Sequence, residues 1–311
     1  MILQTGLRTD IPAFYSKWFL NRIKEGYVLV RNPYNPSAVT KYRINTQVVD
    51  LIAFCTKNPA PMLHCMDALK PYGQYWFVTI TPYGKEIEPN VPDKAKVMAD
   101  FKTLSNAVGV DSVGWRYDPI FITEKYSLDF HLRAFEKMAK ELAGYTHTCV
   151  ISFIDLYKKV SRNFPQAREV SKTERIKIGS AFAEISKEYA VTIKACAEGD
   201  ELGAYGVDCD GCLTQHTYET ALHARLNMPK KKGQRGACAC FLGSDIGVYD
   251  TCKHLCKYCY ANMDPKAVLY NSKLHDPDSP FLIGSHQPGD RIHEARQESW
   301  IDHQLVLRWQ V

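Results

Sequence analysis

The chain has 311 residues, 45% of them apolar, and carries 39 Lys and Arg against 34 Asp and Glu. That length allows about two domains or one α/β barrel with an extension, and ordinary Gly, Pro and charge content excludes disordered and fibrous classes. A net charge of +5 is too mild to argue for a nucleic-acid partner, which a concentrated basic face would.

No apolar run reaches the roughly 18 residues of a membrane-spanning helix. The opening MILQTGLRTD is too short and too polar for a signal peptide. A cytoplasmic location is expected, where thiols stay reduced and clustered cysteines point to metal rather than disulfides.

Along the chain, short apolar or β-branched runs bounded by turn residues predict strands at 2–6, 27–31, 48–56, 74–81, 112–117, 148–155, 190–195 and 245–249. Amphipathic patterns predict helices at 12–24, 93–108, 129–142 and 171–189. Pro12 suits a first turn, and Gly109 and Gly144 suit helix stops. Strand–helix alternation with near-continuous apolar strands argues an α/β fold with a parallel sheet, open or closed.

The predicted strands run into polar clusters. Arg8 and Asp10 follow the first, Lys57 and Asn58 the third, Arg116 and Asp118 straddle the end of the fifth, and Asp155 closes the sixth. Parallel α/β folds build their sites at the carboxyl ends of strands, so these seven residues are candidate catalytic groups. The plain alternative is that loops are polar everywhere.

Cys55, Cys65 and Cys149 sit in apolar contexts, as small buried hydrophobes do. The other eight of the 11 cysteines fall between 196 and 259, a local density that signals metal. Cys252, Cys256 and Cys259 form C-x3-C-x2-C. Three thiolates leave one iron of a [4Fe–4S] cluster open. Zinc is the alternative, although closed zinc sites want four ligands, and simple packing is a third. Cys196, Cys209, Cys212, Cys238 and Cys240 provide enough ligands for a second centre, an Fe–S cluster or a zinc. The basic run Lys230–Arg235 could meet nucleic acid or phosphate, or be a solvated loop. His131 reads as structural, and His254 could tune a cluster or be a solvent-facing loop residue. Phosphate-loop, dinucleotide and serine-hydrolase motifs are absent.

The stretch TCKHLCKYCYAN (251–262) resembles the cluster loop of radical S-adenosylmethionine enzymes. The resemblance implies a [4Fe–4S] cluster whose open iron binds S-adenosylmethionine, with an electron donor such as a flavodoxin or ferredoxin. It implies cofactor contacts from Tyr258, Tyr260 and Asn262. It also implies a TIM-like (β/α) barrel in permuted order, because the cysteine loop follows the last predicted strand rather than the first. No glycine-rich segment for the cofactor's methionine part stands out.

RTDIPAFY (8–15), WFLNRIKEGYVLVRNPYNP (18–36), TKNPAP (56–61), WRYDPI (115–120), SFIDLYKK (152–159) and DIGVYDTCKHLCKYCYAN (245–262) resemble the domain of unknown function 1848 family. That likeness brings no substrate, and a non-catalytic zinc or Fe–S barrel protein (structural or redox sensing) and a nucleic-acid-modifying radical enzyme are the alternatives to a radical-type enzyme on an unknown substrate. It implies Cys196, Cys212, Cys238 and Cys240 as the second ligand set, with Cys209 extra. The expected organisation is βα-barrel units at 1–195, a cysteine-rich insertion at 196–243, and a cluster-bearing final unit with a tail at 244–311.

Overall fold

The computed structural model describes residues 1–229 and 240–302. Lys230–Arg235 and Cys238 lie outside the described residues. The strands are β1 (Ile2–Gln4), β2 (Tyr27–Arg31), β3 (Ala38–Arg43), β4 (Leu51–Thr56), β5 (Gly73–Thr79), β6 (Val113–Ile120), β7 (Thr148–Phe153), β8 (Thr192–Ala195), β9 (Ser244–Asp245) and β10 (Arg291–Glu294).

The main sheet is seven-stranded, in the order β8-β7-β6-β5-β4-β1-β9, and every pair in it is parallel. From β1 to β8 the order advances in one direction. Right-handed crossovers without a reversal put every intervening helix on one face, whereas a doubly wound sheet reverses midway.

The packing agrees. Leu3, Phe54, Trp76, Trp115 and Ile151 point to the helical face, in one core with Phe19, Phe101, Phe135 and Phe182 of the helices. Phe54 stacks on Trp76 at 3.9 Å, and Phe135 stacks on Trp115 at 5.1 Å and on Phe182 at 3.9 Å. The alternate residues Ile2, Ala53, Tyr75, Phe77 and Val150 face the other way. They pack against Cys212, Leu213, Tyr218, Cys240 and Phe241 of the cysteine-rich segment.

Local chemistry sets the element ends. Asp93 caps the helix Lys94–Val108 by accepting from the Ala95 and Lys96 N–H groups. Ser171 and Glu174 form a capping box on the helix Lys172–Lys187. The helix expected over 12–24 splits into Ile11–Phe14 and Ser16–Glu25. The break is at Tyr15, whose hydroxyl donates to the Thr251 carbonyl at 2.7 Å.

Two strand expectations are corrected. Tyr27–Arg31 leaves the main sheet and pairs antiparallel with β3, while β10 adds to β3 in parallel. Its partner is a few residues away, so this pairing closes a short loop at little entropic cost. The strand expected over 245–249 shrinks to Ser244–Asp245, because the chain turns at Asp250, with φ +57°, to enter the cysteine loop. Gly243 lets the chain enter β9 closely, since a Cβ there would lie 2.3 Å from the Ile2 carbonyl oxygen. Among the described residues no ladder joins the edge strands β8 and β9. No described helix is long and apolar enough to cross a membrane.

Candidate functional site

The carboxyl ends of β1, β4, β5 and β9 meet in one polar layer. Asp10 caps the helix Ile11–Phe14 through the Ala13 N–H at 3.0 Å. Its other oxygen accepts from the Lys57 N–H at 2.8 Å and lies 2.9 Å from His254 Nε2. One carboxylate thus ties the ends of β1 and β4 to the cysteine loop. His254 is 1% exposed, so it is a buried clamp and not a solvent-facing loop group.

The cysteine loop is gripped from two further sides. Asn90 donates from its backbone to the His254 carbonyl and from its side chain to the Lys253 carbonyl, at 3.2 and 2.7 Å. Thr251 Oγ1 bonds Thr9 Oγ1 at 2.7 Å. Leu255, next to Cys256, takes φ +57°, a left-handed conformation costly for a residue with a Cβ. The surrounding bonds hold it.

Glu88, on the loop after β5, lies behind this loop and is 1% exposed. It pairs with Lys57 Nζ at 2.8 Å and with Lys94, and accepts from Thr81 Oγ1 at 2.8 Å and from the Tyr258 hydroxyl. Burial alone would push its carboxyl up, but the Lys57 and Lys94 charges outweigh that and hold it down to about 2. Burial pushes the Cys256 thiol up to about 12, against the pull of Lys57. Cys252 and Cys259 are also raised, chiefly by burial. A bound cation reverses that tendency by stabilising the thiolates.

Each expected site residue has a definite place. Arg8 pairs with Asp245 and sits over the Tyr249 ring at 5.9 Å. Asn58 donates its N–H to Thr56 Oγ1 at 2.9 Å. Arg116 pairs with Asp118 and donates to Cys55 Sγ at 3.2 Å, and Asp118 accepts from Ser152. Asp155 is exposed, at the rim beside Tyr157. Tyr258 is 9% exposed and turned to Glu88, whereas Tyr260 is 45% exposed and donates to the Leu7 carbonyl at 2.6 Å. Asn262 Nδ2 donates to the Cys252 carbonyl at 2.8 Å.

Asn58 Oδ1, Arg116 Nε and Asn262 Oδ1 are buried without a hydrogen-bond partner, and among the described residues the only other such side-chain atom is Arg22 Nε. Buried polar atoms are rarely left unpaired, and each one asks for an explanation. Three of the four belong to residues that the sequence marks as site candidates.

Sequence reasoning missed Glu88, Lys94, Ser152 and Glu198. Glu198 accepts from the Phe153 N–H at 2.8 Å and pairs with Arg175 at 3.1 Å. Burial nevertheless pushes its carboxyl up to about 7, with Asp118 and Asp155 adding repulsion. It is one of three acids in EGDE (198–201), with no periodic signal to single it out. His131 has the structural role expected, 2.8 Å from the Tyr117 hydroxyl and 2.9 Å from the Phe121 carbonyl.

A second group lies on the inner face. Cys196, Cys212 and Cys240 place their sulfurs within 4.8 Å of one another, close enough to hold a metal ion. Cys209 is apart from the trio, with its sulfur 3.6 Å from the Val207 carbonyl.

A family model described as Domain of unknown function (DUF1848) matches residues 2–261. No curated protein matches the chain.

Proposed function

The chain belongs to the DUF1848 family, and we propose that it is an iron–sulfur enzyme of the radical S-adenosylmethionine type. The sheet would act as a barrel-like scaffold in permuted order, with 1–195 carrying most of the site and the cysteine loop completing it. Cys252, Cys256 and Cys259 would hold a [4Fe–4S] cluster, and a flavodoxin or ferredoxin would reduce it. One observation carries the reading: Asn262, on the cysteine loop, keeps a buried unpaired oxygen while its nitrogen holds the Cys252 carbonyl.

The residues present fit the group. Three Cys thiolates on one short loop can hold a [4Fe–4S] cluster and leave one iron open. Lys57 and Lys159 act favourably on the thiolate charge of this loop. When bound, the cluster and cofactor supply one-electron reductive chemistry, and the protein supplies orientation and exclusion of water.

The remaining roles belong to the chain. Asp10 and His254 fix the loop. Tyr258, bonded to Glu88, anchors it from behind, which leaves Tyr260 and Asn262 to meet the cofactor. Asn58 and Arg116 offer an acceptor and a donor to cofactor or substrate. Asp118, held by Arg116 and Ser152, is fixed as an acceptor. Glu198 can hold or release a proton near neutral pH. Asp155 would act at the rim, where substrate enters. Cys256→Ala should remove about four irons per chain; full iron retention would contradict the proposal.

A further inference from the structure

We propose that Cys196, Cys212 and Cys240 hold a single zinc-class divalent ion that ties together the two edges of the main sheet. This site is separate from the Cys252–Cys259 loop and does not rest on the function proposed for it.

Spacing argues for one ion. The Cys212 sulfur lies 3.3 Å from that of Cys196 and 3.2 Å from that of Cys240, and all three fall within 4.8 Å. Zinc–sulfur bonds of about 2.3 Å in a tetrahedron put neighbouring sulfurs about 3.8 Å apart. Cysteines on separate irons of a cubane stand farther apart, across the cube.

Topology supplies the role. Cys196 directly follows β8, one edge of the sheet, and its N–H continues the ladder to the Ile151 carbonyl at 2.9 Å. Cys240 lies on the segment that enters β9, the other edge. Cys212 joins them: its N–H donates to Cys240 Sγ at 3.2 Å, and next to it the Phe241 N–H donates to the Leu213 carbonyl at 2.8 Å. The residues that flank the two edges are therefore linked through sulfur, and among the described residues no hydrogen-bonded ladder joins β8 to β9. Unpaired edges are a liability, and a metal clip closes this one. Cys212 and Cys240 are 6% and 3% exposed and Cys196 is half-buried, so the ion would be shielded on the Cys212–Cys240 side and take its fourth ligand from water on the other. Binding releases three thiol protons to solvent and changes no oxidation state. Three thiolates around a divalent cation leave one negative charge, and the Arg116 guanidinium lies close enough to act on Cys212 and Cys196.

The test uses the full chain purified anaerobically without added metal, with elemental analysis. A variant with Cys252, Cys256 and Cys259 all changed to Ser should keep about one zinc per chain and take up cobalt(II) with the intense visible bands of a tetrahedral thiolate site. Cys196→Ser and Cys212→Ser should lose the zinc, and Cys209→Ser should keep it. In case those variants do not fold, zinc is also stripped from the wild-type chain with a chelator. Amide exchange should then speed up together at 192–195 and 244–246. The proposal is overturned if the folded loop variant holds no zinc, or if iron with sulfide tracks Cys212. It is equally overturned if zinc survives Cys196→Ser and Cys212→Ser, or if chelation leaves both edges protected.

Discussion

Lys57 Nζ lies 2.8 Å from Glu88 Oε1, and the Glu88 side chain is 1% exposed. This pair joins the end of β4 to the loop after β5. Through the Tyr258 hydroxyl, which donates to the same Glu88 oxygen, it also reaches the cysteine loop. Two cations and two hydroxyls share one buried carboxylate, so its removal strands charges that burial makes costly.

Glu88→Gln should therefore destabilise the fold by about 3–5 kcal/mol, as breaking a buried ion pair does, measured by urea unfolding at neutral pH. The folded pKa, about 2, is below the unfolded value. The contribution is thus present above the unfolded value, near 4.3, and is lost as pH falls toward 2. Glu88→Gln should lose less stability than wild type over that acid range.

Glu198 has the opposite sign. Its carboxyl is raised to about 7, so between the unfolded value and 7 the folded state binds the extra proton. Wild-type stability from this group is present at low pH and falls as pH rises through about 7. Glu198→Gln should gain stability relative to wild type at pH 8 compared with pH 5. Parallel unfolding curves at the two pH values would show the gain, and an equal difference at both would refute it.

Asn262→Ala removes the bond to the Cys252 carbonyl and the unpaired oxygen together. With the cluster reconstituted, S-adenosylmethionine affinity should fall by about five-fold, equivalent to about 1 kcal/mol for one hydrogen bond. Anaerobic titration calorimetry reads this, with iron content as the control for loop integrity. Unchanged affinity at unchanged iron would remove Asn262 from the cofactor site.

Much of this arrangement is legible in the sequence, because its signals are local. The apolar runs of β4 to β8 and the polar residues in or just after their carboxyl ends are neighbours in the chain, as are the three loop cysteines. Partners brought from far away are not legible. Glu88 is one of two acids in GKEIEP (84–89), and its role depends on Lys57, Lys94 and Tyr258. Glu198 acquires its character from burial beside Asp118 and Asp155. The β3–β10 pairing joins Ala38 to Arg291, two short and weakly patterned segments with no shared signal. Among the described residues β8 and β9 stay unpaired, which the order of strands in the sequence alone does not fix.

The central claim is tested most directly by electron paramagnetic resonance of the reduced, anaerobically purified chain, with and without S-adenosylmethionine, alongside iron, sulfide and zinc analysis. The account predicts about four irons and four sulfides assigned to the loop, absent in Cys256→Ala, and a spectrum that changes when the cofactor is added. Cluster iron that survives Cys256→Ala, or a cluster spectrum indifferent to the cofactor, would contradict it.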